Sequence, residues 1–253
     1  MPYRINQYLA KHLPLSRRSA EKYITQGLVK INGKQAALNT LVEEKDTVEV
    51  FFQQNWKKLA YSDNKENQTI LFYKPPFAIT GKKRDSDKKT IYNYLPKIYH
   101  SLNPAGRLDY LSEGLLILSN DGLLINELTH PKFGHTKTYL VNIDKRFSEK
   151  ERKSLERGVI LDNYKLRPIQ ITLTSNTMLK KYSFLKLNPK GYWYFFALSE
   201  GRNNQIRKMC KLVDKKVYRL IRIRQGKYEL SPKLFKNGII EAVSTHIVSS
   251  TND

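Results

Sequence analysis

The sequence predicts an α+β protein built from two units, and three observations predict it. The first fifty residues carry two helix-spaced apolar patterns and then a hairpin; a polar stretch rich in Asn and Lys follows from Trp56 to Gln68; and the remainder alternates short apolar runs with helix-spaced segments, without internal repeats. A chain of 253 residues accommodates one medium domain and a small one. The expected division is a module at 1–55, a linker at 56–68, a larger domain at 69–242 and a polar tail at 243–253.

The elements follow in order. Ile5, Tyr8, Leu9 and Leu13 recur at helical spacing until Pro14 breaks the pattern, and Ser16 is placed to cap a second helix carrying Ala20, Tyr23 and Ile24, ended by Gly27. Leu28 to Ile31 reads as a strand that turns at Asn32-Gly33, because both residues accept the positive φ of a tight hairpin, and Thr47 to Phe51 supplies another strand. In the larger unit, Ile70 to Lys74 is an apolar strand ended by Pro75-Pro76. Leu115 to Ser119 reads as a buried strand, followed by the turn Asn120-Asp121-Gly122 and an apolar helix through Leu128. Tyr139, Val141 and Ile143 alternate as on a half-buried strand, and Ser148 with Glu151 forms a capping box for a helix that stops at Gly158. Phe184 to Leu187 and Tyr192 to Leu198 are expected to pair as a hairpin around Asn188-Pro189-Lys190-Gly191. Ile206, Met209, Cys210 and Val213 mark the buried face of a further helix, and Arg207, Lys211 and Lys215 lie on another face of it.

Charge narrows the function classes. Lys plus Arg number 45 against 23 Asp plus Glu, a formal net charge of +22. So basic a chain repels itself unless a polyanion offsets the charge, which points to nucleic acid or an anionic membrane. The longest apolar run, Tyr192 to Leu198, falls far short of the roughly 20 residues of a spanning helix, and the first residues carry no apolar signal segment, so no membrane partner is expected. A single cysteine, Cys210, excludes a disulfide framework or Cys-rich zinc site and suits a reducing cytoplasm. The histidines are scattered; His130 and His135 have non-helical spacing and no carboxylate cluster beside them, so no metal is expected. No Gly-x-Gly pair, Gly-Lys-Ser/Thr or Gly-x-Ser-x-Gly occurs, so neither a nucleotide cofactor nor a serine elbow is expected.

The charge is unevenly placed. From Glu200 to Lys236, 12 Lys plus Arg face 3 acidic residues. Here Arg222 and Arg224 share a strand face opposite Ile221 and Ile223. Lys82, Lys83, Arg84, Lys88 and Lys89 form a second basic stretch in a loop. On the second helix Arg17 and Arg18 fall in the first turn, where the dipole disfavours cations, and Glu21 follows Arg17 in the weaker order for an ion pair. With Lys22, Lys30 and Lys34 they could form a face that meets phosphates, although on charge alone an ordinary solvated helix face is the better reading.

Two segments carry more than composition. Leu15-Ser16-Arg17-Arg18-Ser19-Ala20-Glu21-Lys22 through Gly27-Leu28-Val29-Lys30-Ile31-Asn32-Gly33-Lys34 resembles an S4 RNA-binding domain. Taken alone, Asp109 reads as a loop residue bonding its own backbone. Its context, Gly106-Arg107-Leu108-Asp109-Tyr110-Leu111-Ser112-Glu113-Gly114 and on to Gly122, resembles the catalytic motif of pseudouridine synthases, in the S4-bearing branch that modifies ribosomal RNA. Lys74-Pro75, Lys137 to Val141, Glu200 to Met209, and Arg219-Leu220-Ile221-Arg222 with Gly226 resemble the family's other motifs in the expected order. Departures are Pro76-Phe77 where a glycine usually follows the Lys-Pro pair, Ser112 for a common Thr, and Thr136 for a common acidic residue.

The resemblance implies a small S4 (α-L) domain in front of a mixed-sheet catalytic domain, and isomerisation of uridine to pseudouridine without metal or cofactor. It assigns Asp109 as the nucleophile or base and Arg207 as its ion-pair partner, and it leaves Lys74 structural. Tyr139 is to stack on the target base and help proton transfer, Leu220 to wall the pocket, and Arg107 to displace the target base, with a plain phosphate contact as the other reading. Lys208, Lys211, Arg222 and Arg224 are expected to hold the RNA backbone. The implied partner is a ribosomal RNA stem-loop, bound by a monomer in the cytoplasm. Arg219 to Gly226 points to large-subunit RNA, with small-subunit RNA or tRNA as alternatives. A reading of a different class is a non-catalytic ribosome-assembly protein; the joint presence of Asp109, Tyr139 and Arg207 argues against it.

Overall fold

The structure is a computed structural model that describes residues 3–60, 67–82 and 87–241. Lys83, Arg84 and the tail at 243–253 lie outside the described residues, as do residues 61–66 of the expected linker. The chain divides into two compact units, residues 1–66 and 67–253.

In the first unit the local signals act as read. The helix Ile5–His12 buries Ile5, Tyr8 and Leu9. Ser16 caps the next helix, Arg17–Thr25, by accepting from the Ser19 N–H at 3.0 Å, and Ala20 and Ile24 face the core. Asn32 and Gly33 take φ of 50° and 78°, which turns Val29–Ile31 back onto Lys34–Gln35. The linker expectation is corrected at its start: Asn55–Leu59 is a strand paired with Val48–Phe52, at the edge of a four-stranded sheet. An edge strand with most of its side chains in solvent has linker-like composition, which is why it reads as one.

In the second unit a nine-stranded sheet organises the chain. Its main path runs Gln170–Leu173, Tyr192–Leu198, Lys137–Ile143, Val217–Gln225, Glu113–Ser119, Thr69–Lys74 and Ile239–Glu241. The sheet is mixed, because Val217–Gln225 runs parallel to Glu113–Ser119 while the other neighbours are antiparallel. Helices and loops cover both faces. Val141 and Leu220 belong to one apolar core, and Leu140, Ile221 and Ile223 belong to the other. The strand expected to be half-buried is therefore buried from Tyr139 to Ile143 on both sides.

The expected hairpin does not form. Tyr192–Leu198 pairs with Lys137–Ile143 and Gln170–Leu173, and Ser183–Leu185 is a 3-10 turn ended by Lys186 in the left-handed region (φ 48°). The partner strands lie far away in sequence, whereas Phe184 and Leu185 pack against the second core instead. Elsewhere the capping-box signal holds, Ser148 with Glu151 capping Glu149–Glu156, while Asp121, read as part of a turn, proves to cap the helix Gly122–Thr129.

Candidate active site

The loop from Arg107 to Ser112 precedes the strand Glu113–Ser119, and a second loop, from Lys74 to Thr80, braces it. Lys74 Nζ donates to Ser112 O at 2.6 Å, the Phe77 N–H to Tyr110 O at 2.7 Å, and Thr80 Oγ1 to Leu108 O at 2.8 Å. These contacts use residues 108, 110 and 112. Between them Tyr110 and Leu111 form a turn closed by the Ser112 N–H donating to Asp109 O at 3.0 Å, and Arg107 and Asp109 both line a cavity of about 360 Å³. Two arginines add further holds: Arg222 Nη1 donates to Arg107 O at 3.3 Å and Arg207 Nη2 to Leu111 O at 3.3 Å. Asp109 is thus fixed by its neighbours' backbone, leaving its side chain lightly used. Among the described residues its Oδ1 accepts only the Asn204 N–H, at 3.4 Å.

Tyr139, Leu220 and Arg222 line the same cavity, from adjacent strands. The register that sets Tyr139 opposite Arg222, and the two-residue period that puts Leu220 and Arg222 on one face, bring them together. Arg107, Lys137, Arg167, Arg202 and Arg222 surround the cavity with positive charge, against the carboxylates of Asp109 and Glu200. Glu200 is committed elsewhere: its Oε1 accepts from Arg167 N and Gln205 Nε2 at 3.0 and 3.1 Å. Buried Ser112 Oγ and Arg222 Nη2, both on cavity-lining residues, have no hydrogen-bond partner among the described residues. A buried donor without a partner carries a desolvation cost, which a bound substrate can offset.

Two expectations are corrected here. Arg207 makes no ion pair with Asp109; its guanidinium donates to Val217 O at 3.0 Å and to Leu111 O, and its Nε is buried without a partner. Burial pulls its pKa down, and the nearby Asp109 charge pulls it back up. The group that meets Asp109 directly is the N-terminus of the helix Gln205–Leu212, whose cap residue Asn204 adopts φ 52°. Secondly, Arg222 is no surface contact. It is fully buried, with Nε donating to Leu115 O at 2.7 Å. Alternation gives its face correctly but not that the face is roofed.

The remaining predicted contacts divide by exposure. Arg17, Arg18, Lys22 and Lys34 are exposed on the first unit, Lys30 sits with Nζ 4.4 Å above the Trp56 ring, and Glu21 accepts from Asn6 rather than from Arg17. Lys211 and Arg224 are exposed, whereas Lys208 is half-buried and paired with Asp162. Cys210 is buried, and that burial pushes its thiol up to about 12, so it remains protonated and unreactive. Sequence reasoning missed Lys137 and Arg167 as cavity residues. Lys137 opens the tyrosine strand and had a motif to betray it; Arg167 stands in a polar stretch with no signal.

Lys74 supports a pH prediction. It is fully buried, and burial lowers its pKa to about 8, against the pull of Glu113 and Asp109. The unfolded chain therefore holds this proton between about pH 8 and the ordinary lysine value of 10.5 while the folded protein has released it. Stability rises with pH wherever the unfolded state binds more protons. Measured against Lys74→Met by denaturant titration, the protein should gain stability across that window; a flat difference would contradict the assignment.

A lightly encumbered carboxylate facing a cavity ringed by cations defines an enzyme that works on a polyanion. The chain belongs to the RNA pseudouridylate synthase family, whose model matches residues 68–212, and an S4 domain model matches residues 4–48. It is similar to the ribosomal large subunit pseudouridine synthase B of Bacillus subtilis, with 33% identity over 87% of this chain and 84% of that protein. It is 31% identical to the dual-specificity RNA pseudouridine synthase RluF of Escherichia coli over 90% of this chain and 71% of the relative. A crystal structure of a pseudouridylate synthase superposes with a TM-score of 0.62 at 25% identity, covering 94% of this chain and 95% of that one. The protein is an S4-bearing pseudouridine synthase that isomerises uridine to pseudouridine in RNA. Among the described residues no helix is long and apolar enough to cross a membrane.

Proposed function

We propose that the cavity beside Asp109 isomerises one uridine, or a small set, in a stem-loop of large-subunit ribosomal RNA, with the protein acting as a monomer in the cytoplasm. The observation that carries the catalytic assignment is the loop geometry: a backbone held from both sides around a carboxylate whose oxygens are nearly free. The substrate class follows from the relatives named above, which bear ribosomal and dual-specificity RNA names.

In the reaction the N1–C1′ bond breaks, the uracil turns, and a C5–C1′ bond forms; the C5 proton is lost and N1 gains one, so the formula is unchanged. Asp109 serves either by attacking the sugar carbon or by taking a sugar proton, and both routes require it ionised. The Asn204 N–H donates to its Oδ1 at 3.4 Å and helps to aim the carboxylate. Tyr139 stacks on the uracil while Leu220 closes the pocket, both buried and both lining the cavity. Arg107, exposed at the cavity and two residues before Asp109, displaces the target base from its stem. Arg207 holds the loop through Leu111 O rather than by pairing with the carboxylate. Arg17, Arg18, Lys22, Lys30 and Lys34 hold RNA phosphates from the first unit, and Lys208, Lys211 and Arg224 do so from the second.

The test is nucleotide-resolution pseudouridine mapping of total RNA, by a chemical label because the isomerisation leaves mass unchanged, with and without the active gene. Loss of a signal in large-subunit rRNA is expected. A signal lost only from small-subunit rRNA or tRNA would move the target, and no lost signal would overturn the reading.

A further inference from the structure

The Lys74 to Thr80 loop carries a residue that its backbone disfavours. Phe77 has φ 61°, in the left-handed region that bulky side chains avoid and glycine enters freely, and the residue is 58% exposed. Burial does not offset the strain. A strained conformation that the fold does not need for packing suggests use at the surface. Its ring meets Tyr110 edge-on, with centroids 5.8 Å apart at 78°, and Tyr110 directly follows Asp109.

The surroundings identify what this ledge fits. Lys88 Nζ lies 4.7 Å from the Tyr110 ring centroid. Two further pairs of the same kind, Lys89 with Tyr94 and Lys82 with Tyr92, come from the same basic stretch, at 5.9 and 5.5 Å. Aromatic rings interleaved with lysines bind single-stranded nucleic acid, the rings stacking on bases and the ammonium groups meeting phosphates. An apolar protein partner would gain nothing from three desolvated lysines, whereas an RNA strand offers both a π-face and an anion at each nucleotide.

We propose that Phe77 and Tyr110 form a stacking platform for an unpaired base flanking the target uridine, with Lys88 holding the adjoining phosphate. The proposal rests on the assignment of the cavity beside Asp109 as the site of isomerisation. The platform explains why this chain keeps a strained phenylalanine where a glycine would be relaxed.

The experiment compares the full-length protein with Phe77→Gly and Phe77→Leu. Affinity is read by anisotropy with a fluorescein-labelled twelve-residue oligouridine, activity by pseudouridine formation in an unmodified large-subunit rRNA transcript, and stability by thermal unfolding. Both variants should bind the oligomer about tenfold more weakly, in line with the loss of one stacked base, and their kcat/KM should fall mainly through KM. Phe77→Gly should unfold at the same temperature as the parent or higher, so weaker binding cannot be put down to misfolding. Parent-like affinity in both variants, or in Phe77→Leu alone, would overturn the platform. So would a change in sedimentation of Phe77→Gly at unaltered RNA affinity, which would mark the ledge as a contact between copies. If the parent itself forms no pseudouridine in the transcript, it is the substrate reading that fails, and the oligomer arm still decides the platform.

Discussion

Asp109→Asn is expected to abolish pseudouridine formation while leaving the protein folded and RNA-bound. The substitution is nearly isosteric, and among the described residues the only hydrogen bond to the carboxylate is the 3.4 Å one from Asn204, which an amide oxygen can accept equally well. The brace of the loop runs through backbone atoms of residues 107, 108, 110, 111 and 112, none of which the change touches. Stability should therefore move by no more than about 0.5 kcal/mol. What is lost is the negative charge, and with it either the nucleophile or the base. Removal of such a group costs on the order of 10⁴-fold or more in kcat. Affinity for RNA should stay within a small factor, because the cations around the cavity and on the first unit are unaltered, and one repulsive charge among them is removed. Single-turnover assays by chemical labelling, beside filter binding of the same RNA, separate the two quantities. Full activity in the variant would remove Asp109 from the chemistry; equal loss of binding and turnover would make it a binding residue instead.

What the sequence made legible follows the reach of each signal. Ser16 as a cap, Asn32-Gly33 as a turn and the Ser148–Glu151 box are decided within a few residues, and all three stand as read. The candidate loop was legible as a unit because its residues are contiguous: Arg107, Asp109 and Ser112 all line the cavity. Long-range pairing was not. Tyr192–Leu198 has two partner strands more than twenty residues upstream, and nothing in its own composition distinguishes them from the neighbouring Phe184 to Leu187. Arg222 shows a subtler limit. Period two gives its face, shared with Leu220, but whether a face is solvent or cavity depends on what other segments lay over it. The Arg207 contact failed for a related reason. A guanidinium in the first turn of a helix can reach several acceptors, and the backbone carbonyls of Val217 and Leu111 are nearer than the carboxylate.

The loop that holds Asp109 also depends on a position with no side chain. Gly114 has φ 108°, and a β-carbon there would stand 2.4 Å from Arg222 O and 2.8 Å from Arg222 N, both backbone atoms that cannot swing aside. It sits where the one parallel pairing of the main path begins, opposite Arg222, with Lys74 on its other side. Gly114→Ala must therefore push Glu113–Ser119 away from Val217–Gln225, the strand whose Arg222 grips the loop around Asp109. Overpacking of this kind, added to an unfavourable φ, should cost about 3 kcal/mol and lower the melting temperature by roughly 10 °C. Gly191→Ala supplies the control: its β-carbon would lie 2.4 Å from Ile143 O at φ 81°, a comparable clash. Ile143, however, is at the far end of the tyrosine strand from Lys137, six residues or roughly 20 Å away. Both variants should be destabilised alike, yet below their melting temperatures only Gly114→Ala should lose turnover, by about 100-fold, since a displacement near 1 Å at the reacting group has that effect. Equal kcat in the two folded variants would mean that Asp109 keeps its position without the Arg222 junction, and the loop brace from Lys74 to Thr80 would then be sufficient by itself.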